Sequence, residues 1–162
     1  MLVELLKQNV GENYCYLDIS DKMISKSRRR LQKHFPDKIN TVSFICGSIE
    51  PIPSAEKFDL IITPCVLDCF TNEKLPEIMQ QLHSHLNKNG EWLFVDFNIP
   101  EKRKSVSAFK IRAMYFFFNV ICGLGVKQLP DFKKEFEKPD MEMKMENYFL
   151  RGLMVARVYG EK

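Results

Sequence analysis

The chain has 162 residues, enough for one domain with a sizeable hydrophobic core. Hydrophobic residues make up 45% and charged residues 28%, and the net charge of +3 favours neither nucleic acid nor a membrane surface as a partner. The five cysteines form no CxxC pair and are odd in number, so we expect reduced thiols in a cytoplasmic protein.

Neither a signal peptide nor a membrane span is predicted. The N-terminal MLVELLKQNVGENY lacks the basic start and long apolar run of a signal peptide. The longest apolar stretch, residues 114–126, contains Asn119 and two glycines. It is also shorter than the roughly 20 residues that a spanning helix needs.

Hydrophobic periodicity and turn residues predict alternating helices and strands. In chain order, we predict a helix over 2–9, a strand over 14–19, a helix over 21–34, strands over 41–46 and 57–63, a helix over 73–86, a strand over 91–97, helices over 105–122 and 131–137, and strands over 141–150 and 153–159. Ser20 is placed to cap the helix that starts at Asp21.

Almost wholly apolar strands such as FDLIIT and WLFVDF are typical of a parallel sheet with helices on both faces. Together with the alternation of elements, they predict an α/β fold with a Rossmann-like, doubly wound and mostly parallel sheet. The last two strands are close in sequence and predict an antiparallel hairpin at one edge. We expect a single domain over residues 1–162.

Asp18 places a carboxylate at the end of the first predicted strand, where open parallel sheets bind ligands. Its oxygens can accept hydrogen bonds from the two adjacent hydroxyls of a ribose. Ile19 could then pack on a purine, and Ser48 follows the next strand. The alternative is that Asp18 only helps to start the helix at Asp21, and the chemistry alone leaves these interpretations equal.

Four segments resemble, in order and spacing, a class I S-adenosylmethionine-dependent methyltransferase: YLDISDKMISKSRRRL, VSFICGSIEPIP, EKFDLIITPCVLDCF and LHSHLNKNGEWLFVDF. A C-terminal strand pair ending in GLMVARVYG extends the resemblance. It implies S-adenosylmethionine as the methyl donor. The residues implied as its contacts are Asp18 for the ribose, Ile19 and Ile49 for the adenine faces, Ser48 for the adenine amino edge, and Thr63, Pro64 and Cys65 for the floor of the methyl-donor pocket.

The chain departs from this family at its start. In the family, the first strand ends in a glycine-rich loop that meets the donor, whereas Gly11 is the only glycine before Asp18 here. The resemblance places the absent strand at the centre of the sheet, where its loss would expose backbone donors and acceptors. We expect an N-terminally truncated sequence. The alternatives are a strand supplied by another polypeptide, which implies an oligomer, and a non-catalytic relic.

Three other groups of polar residues give only weak support for a functional site. Cys65 and Cys69 would need further ligands to hold zinc, and packed thiols are the better interpretation. His83 and His85 lie two apart on a predicted helix and are interpreted as surface residues. The basic stretch over residues 25–34 is more typical of a solvated helix face than of a nucleic-acid site.

The segment AFKIRAMYFFFNVICGLG, residues 108–125, is apolar on several sides of its predicted helix. Packing against the sheet is the favoured interpretation. The alternative is a lid over an apolar acceptor, with Tyr115 and Phe117 as substrate-binding residues. In methyltransferases similar to this chain, the segment after the fifth strand often helps to form the acceptor pocket.

These observations favour S-adenosylmethionine-dependent methyl transfer to a small, partly apolar acceptor. The sulfonium donor carries most of the chemical drive, so no strong acid–base pair is required and no catalytic residue is assigned. The alternatives are a non-catalytic interaction module and an RNA methyltransferase. No metal is expected.

Overall fold

The computed structural model describes residues 1–49, 51–100, 109, 111–117, 126, 128–137 and 141–161. The chain divides into two compact units, residues 1–53 and 54–162, which are described separately below as the first and the second unit. The expectation of one domain over the whole chain stays a prediction.

The first unit combines two helices with a two-stranded parallel sheet. Its elements are α1 (Leu2–Lys7), β1 (Tyr14–Asp18), α2 (Asp21–His34), a 3₁₀ turn (Pro36–Thr41) and β2 (Val42–Cys46). Ser20 caps α2 as predicted, because its hydroxyl accepts a hydrogen bond from the Met23 amide at 3.4 Å. Asp18 lies opposite Cys46 in the register of the sheet, so the carboxyl ends of both strands meet at one edge.

The second unit is built on a four-stranded sheet in the order β3-β4-β6-β5. Its elements are β3 (Phe58–Pro64), a 3₁₀ turn (Leu67–Cys69), α3 (Leu75–Ser84), β4 (Leu86–Phe97), α4 (residues 111–117), α5 (Phe132–Glu137), β5 (Met141–Phe149), a second 3₁₀ turn (Leu150–Gly152) and β6 (Met154–Glu161). Strands β3 and β4 are parallel, and the pairs that β6 makes with β4 and β5 are antiparallel.

Aromatic side chains fill the core of the second unit. Alternate residues of β4 are buried, and among them Trp92 and Phe94 are fully enclosed. Phe136 stacks on Tyr159 with ring centroids 3.8 Å apart and meets Trp92 edge-on at 5.0 Å. The Trp92 indole N–H donates to the Thr63 hydroxyl at 2.9 Å, which ties β4 to β3 across the interior.

The boundary between α3 and β4 was predicted wrongly. The sequence predicted a helix to residue 86 and a strand from residue 91, but the helix ends at Ser84 and the strand begins at Leu86. Leu86 pairs with Phe58, and the ladder then shifts register before Glu91. Asn89, with a φ of 65°, and Gly90 form this irregularity rather than a helix end.

The α/β class and the antiparallel C-terminal hairpin are confirmed. Within the described residues, β1 pairs with β2 alone and β3 with β4 alone. Of the helix predicted over residues 105–122, residues 109 and 111–117 are helical, and the others lie outside the described residues.

Candidate functional site

Asp18 is the last residue of β1, and one of its two carboxylate oxygens accepts a hydrogen bond from the protein. Its Oδ1 accepts a hydrogen bond from the Ser20 amide at 2.9 Å. The Gly47 amide donates to the Asp18 carbonyl at 3.0 Å, which joins the ends of β1 and β2. Oδ2 makes no hydrogen bond to any described residue, and the side chain is only half-buried. Asp18 therefore presents an oriented acceptor at the ligand-binding edge of a parallel sheet.

The other residues predicted in the first unit differ in accessibility. Ile19 is 80% exposed and offers an apolar surface beside Asp18. Ser48 is half-buried and follows the end of β2, so the structure brings it to the same edge. Ile49 is only 5% exposed, and little of its side chain is open to a ligand.

Three predicted donor-pocket residues lie at the end of β3 or directly after it in the second unit. The Thr63 side chain is buried and its hydroxyl accepts from Trp92. Pro64 and Cys65 are exposed. Cys65 has a φ of 50°, in the left-handed region that residues with a side chain rarely adopt. The backbone is therefore strained directly after the carboxyl end of β3.

A pair of buried carboxylates, Asp68 and Asp96, lies at this end of the second unit and was not predicted from the sequence. Asp96 is 0% exposed and lies near the end of β4, parallel to β3. Its Oδ1 accepts from the Phe97 amide at 2.8 Å, and its Oδ2 accepts from the Asp68 amide at 3.2 Å. Burial and the Asp68 charge raise the pKa of Asp96 to about 7. Burial also raises the pKa of Asp68.

A sequence signal for Asp96 existed. It follows the apolar run WLFV near the end of a predicted strand, as Asp18 follows YCYL. Asp68 has no comparable signal, because it lies in a turn between two cysteines and its environment depends on a residue 28 positions away.

The thiols beside this pair are poor nucleophiles and poor metal ligands. Partial desolvation and the Asp68 charge raise the pKa of Cys69 to about 12, and partial desolvation with the two carboxylates raises the pKa of Cys65. Both thiols therefore stay protonated near neutral pH. Across the described ranges, no three histidine, cysteine, aspartate or glutamate side chains are grouped to hold a metal ion.

The two proposed acceptor residues occupy different environments. Tyr115 is 2% exposed and packs with Ile111 and Val126 in a small apolar cluster. Phe117 is 57% exposed. The structure therefore places the Tyr115 ring in the interior, and of the two it is Phe117 whose side chain is open to the surface.

The interpretation of His85 as a surface residue was wrong. Its side chain is buried, and Nδ1 lies 2.8 Å from the Glu56 carbonyl oxygen. His83 is half-buried, and its Nε2 makes no hydrogen bond to a described residue. His85 thus links α3 to the segment before β3.

No helix among the described residues combines the length and hydrophobicity needed to cross a membrane.

A family model described as a methyltransferase domain matches residues 2–146, and the chain belongs to this family. The match covers both strand ends described above. A search of curated proteins finds no match to the sequence.

Solved structures with a similar fold come from chains of about twice this length. TnmH has a TM-score of 0.73 at 13% identity, covering 99% of this chain and 46% of its own. An O-methyltransferase family 2 protein from Planctomyces limnophilus, solved with apigenin, has a TM-score of 0.73 at 8% identity and coverages of 98% and 45%. LepI in complex with SAM has a TM-score of 0.62 at 12% identity and coverages of 100% and 47%. The chain thus spans about half the length of these proteins.

Proposed function

We propose that this chain binds S-adenosylmethionine and takes part in methyl transfer to a small, partly apolar acceptor. Membership of the methyltransferase domain family supports the reaction class. The observation that carries the proposal is the Asp18 carboxylate, whose Oδ1 is held by the Ser20 amide while Oδ2 is left for a ligand. The structure of LepI with SAM supports the choice of donor.

In this proposal, Asp18 accepts the hydroxyl hydrogens of the donor ribose. The exposed side chain of Ile19 covers one adenine face, and Ser48 meets the adenine amino edge. Ile49 supports the adenine site from the interior. Thr63, Pro64 and Cys65 contribute the floor of the methyl-donor pocket, with the Thr63 hydroxyl occupied by Trp92.

Methyl transfer requires few reactive side chains. The donor supplies a sulfonium methyl group, and the protein aligns it with the acceptor and excludes water. The exposed aromatic surface of Phe117 suits a partly apolar acceptor. The apigenin complex of the Planctomyces limnophilus protein supports this acceptor class.

We further propose that a strand from outside residues 1–162 pairs with the outer edge of β3. Within the described residues, β3 pairs only with β4, although Ile61 and Thr63 on this strand are buried. A longer chain or a partner polypeptide can supply such a strand. A peptide with the sequence of that strand should raise the unfolding midpoint of the chain. No shift at millimolar peptide would contradict this part of the proposal.

Calorimetry with S-adenosylhomocysteine tests donor binding. We expect measurable heat with the full chain and a roughly ten- to hundredfold weaker affinity for Asp18→Asn, which loses a charged hydrogen bond. The amide oxygen of this variant can still accept from Ser20, so the turn is kept. Asp21→Asn, three residues along and exposed, is the matched control and should bind as the wild type does.

Two results would contradict the proposal. No heat at high micromolar ligand would favour a non-catalytic interaction module. Salt-sensitive binding of an RNA oligonucleotide without S-adenosylhomocysteine binding would favour a nucleic-acid-binding role.

A further inference from the structure

Helix α4 faces the protein interior with one side only, and its other side is aromatic. Ile111 and Tyr115, one turn apart, are buried and belong to the small apolar cluster described above. Phe116, and Phe109 which is also helical, lie on the opposite side, because positions seven apart share a helix face. Both phenylalanines are 73% exposed. Packing therefore explains the inner side of this helix but not the outer one.

Arg112 adds a positive charge to the outer side. It lies three positions after Phe109 and four before Phe116, so the three side chains share one helix face, which we call the outward face. Arg112 is exposed and forms no ion pair with another described residue. Exposed rings that are grouped in this way mark an interaction site, whereas scattered ones do not.

The sequence around the outward face is strongly basic, although the charge of the whole chain is almost balanced. Residues 101–112, EKRKSVSAFKIR, contain five basic residues and one acidic residue, and so carry a local charge of +4. All 162 residues together carry +3. Residues 101–108 and 110 lie outside the described residues and contribute here through their charge. A partner that complements this region is negatively charged.

We propose that the outward face docks on a bilayer surface that carries anionic phospholipids. Phenylalanine rings enter the boundary between headgroups and acyl chains, and basic side chains beside them pair with the phosphates. Each basic residue held near such a surface strengthens binding roughly fivefold. This role goes beyond methyl transfer and does not depend on donor binding.

A bilayer fits this region better than a nucleic acid or a second copy of the chain. After Arg112, residues 113–126 contain no charged side chain. A basic segment followed by an uncharged, apolar one matches the two layers of a bilayer surface, whereas a nucleic acid needs basic side chains interleaved with the aromatic ones. A second copy related by a two-fold axis would bring the basic segment against itself.

Co-sedimentation of the full chain with lipid vesicles tests the outward face. We expect binding to vesicles of phosphatidylcholine with phosphatidylglycerol, weaker binding to pure phosphatidylcholine, and loss of this difference at high salt. The double variant Phe109→Ser/Phe116→Ser should bind anionic vesicles at least roughly tenfold more weakly, because two inserted rings are lost. Arg112→Glu should weaken binding to anionic vesicles by a similar factor and leave binding to neutral vesicles almost unchanged.

Two exposed residues elsewhere in the chain provide matched controls. Met143→Ser removes an exposed apolar side chain from β5, and Arg30→Glu reverses an exposed charge in α2. Both variants should bind anionic vesicles within about twofold of the wild type. In addition, Phe116→Trp places a fluorescent reporter on the outward face, and its emission should move to shorter wavelength when anionic vesicles are added.

Lipid binding and folding can be separated, because every substituted side chain is exposed. The unfolding midpoints and the S-adenosylhomocysteine affinities of these variants should therefore stay close to those of the wild type. No co-sedimentation of the wild type with anionic vesicles at low salt, or equal binding by the double serine variant, would overturn the proposal. A dimer that the double variant abolishes, or RNA binding that Arg112→Glu abolishes, would overturn it in favour of a second copy or a nucleic acid.

Discussion

Each unit places an aspartate at or near the end of a parallel strand, but the two carboxylates have different environments. Asp18 in the first unit is half-buried, with Oδ1 bonded to Ser20 and Oδ2 open. Asp96 in the second unit is fully buried, and both oxygens accept from backbone amides. The two strand ends therefore differ in the acceptor capacity that local hydrogen bonding leaves for a ligand.

The largest loss of stability is expected for Asp96→Ala. It leaves the buried Asp68 amide and the partly buried Phe97 amide without their acceptors, so near pH 4, where Asp96 is neutral in the folded chain, we expect a loss of roughly 2 to 4 kcal/mol of stability. Asp18→Ala removes one bond at a half-buried site and should cost about 1 kcal/mol. Unfolding followed by circular dichroism measures both. Equal losses would contradict the contrast between the two aspartates.

A pH dependence of stability is expected from Asp96, because burial and the Asp68 charge raise the pKa of its carboxyl group. Its pKa rises from the ordinary value of 3.8 to about 7 in the folded chain. Between about pH 4 and about pH 7, the folded state holds a proton that the unfolded state has released. The contribution of Asp96 is therefore fully present below about pH 4 and is lost as pH rises through about 7.

The slope from one proton is at most about 1.4 kcal/mol per pH unit. Measuring the free energy of unfolding of the wild type and of Asp96→Asn at several pH values tests this pH dependence. The stability of the wild type should fall relative to that of Asp96→Asn as pH rises from about 4 towards 7. A difference that does not change with pH would contradict the raised pKa.

A smaller loss of stability is expected for Thr63→Val. The valine leaves the Trp92 indole N–H without an acceptor in the interior, at a cost of about 1 to 2 kcal/mol. S-adenosylhomocysteine affinity should stay within about twofold of the wild type, because valine keeps the shape of this buried position and the Thr63 oxygen already accepts from Trp92. A large loss of affinity without a loss of stability would assign that hydroxyl to the donor instead.

The smallest effect on stability is expected for Ile19→Ser. At 80% exposure, this side chain should contribute less than about 0.5 kcal/mol to folding. The same change should weaken S-adenosylhomocysteine binding severalfold, because apolar surface against adenine is lost. Calorimetry and thermal unfolding on one sample measure both quantities. Unchanged affinity would remove Ile19 from the proposed adenine site.

The elements with strong local signals were the ones that sequence could predict. Ser20 and Asp21 predicted the start of α2, and the apolar runs predicted β3 and most of β4. The segment over residues 86–90 was assigned to a helix end because Asn-Gly is a common stop signal. It belongs to β4 because Leu86 pairs with Phe58, a contact that no local pattern contains.

The candidate site was predictable in part for the same reason. Asp18 and Ser48 follow recognisable strands, so their place at one edge could be inferred from sequence. The environment of Asp68 depends on its contact with Asp96, 28 positions along the chain. Burial of Ile49 and His85 likewise follows from packing that composition does not specify.

Trp92 is the single tryptophan of the chain, and it lies wholly inside the second unit with its indole N–H bonded to Thr63. Its fluorescence emission is therefore a natural optical reporter for that unit alone, shifting to longer wavelength when water reaches the ring. Far-ultraviolet ellipticity, by contrast, averages over every helix and strand. One label-free protein sample thus yields two independent signals, and the agreement or separation of their midpoints shows whether the units melt as one cooperative body.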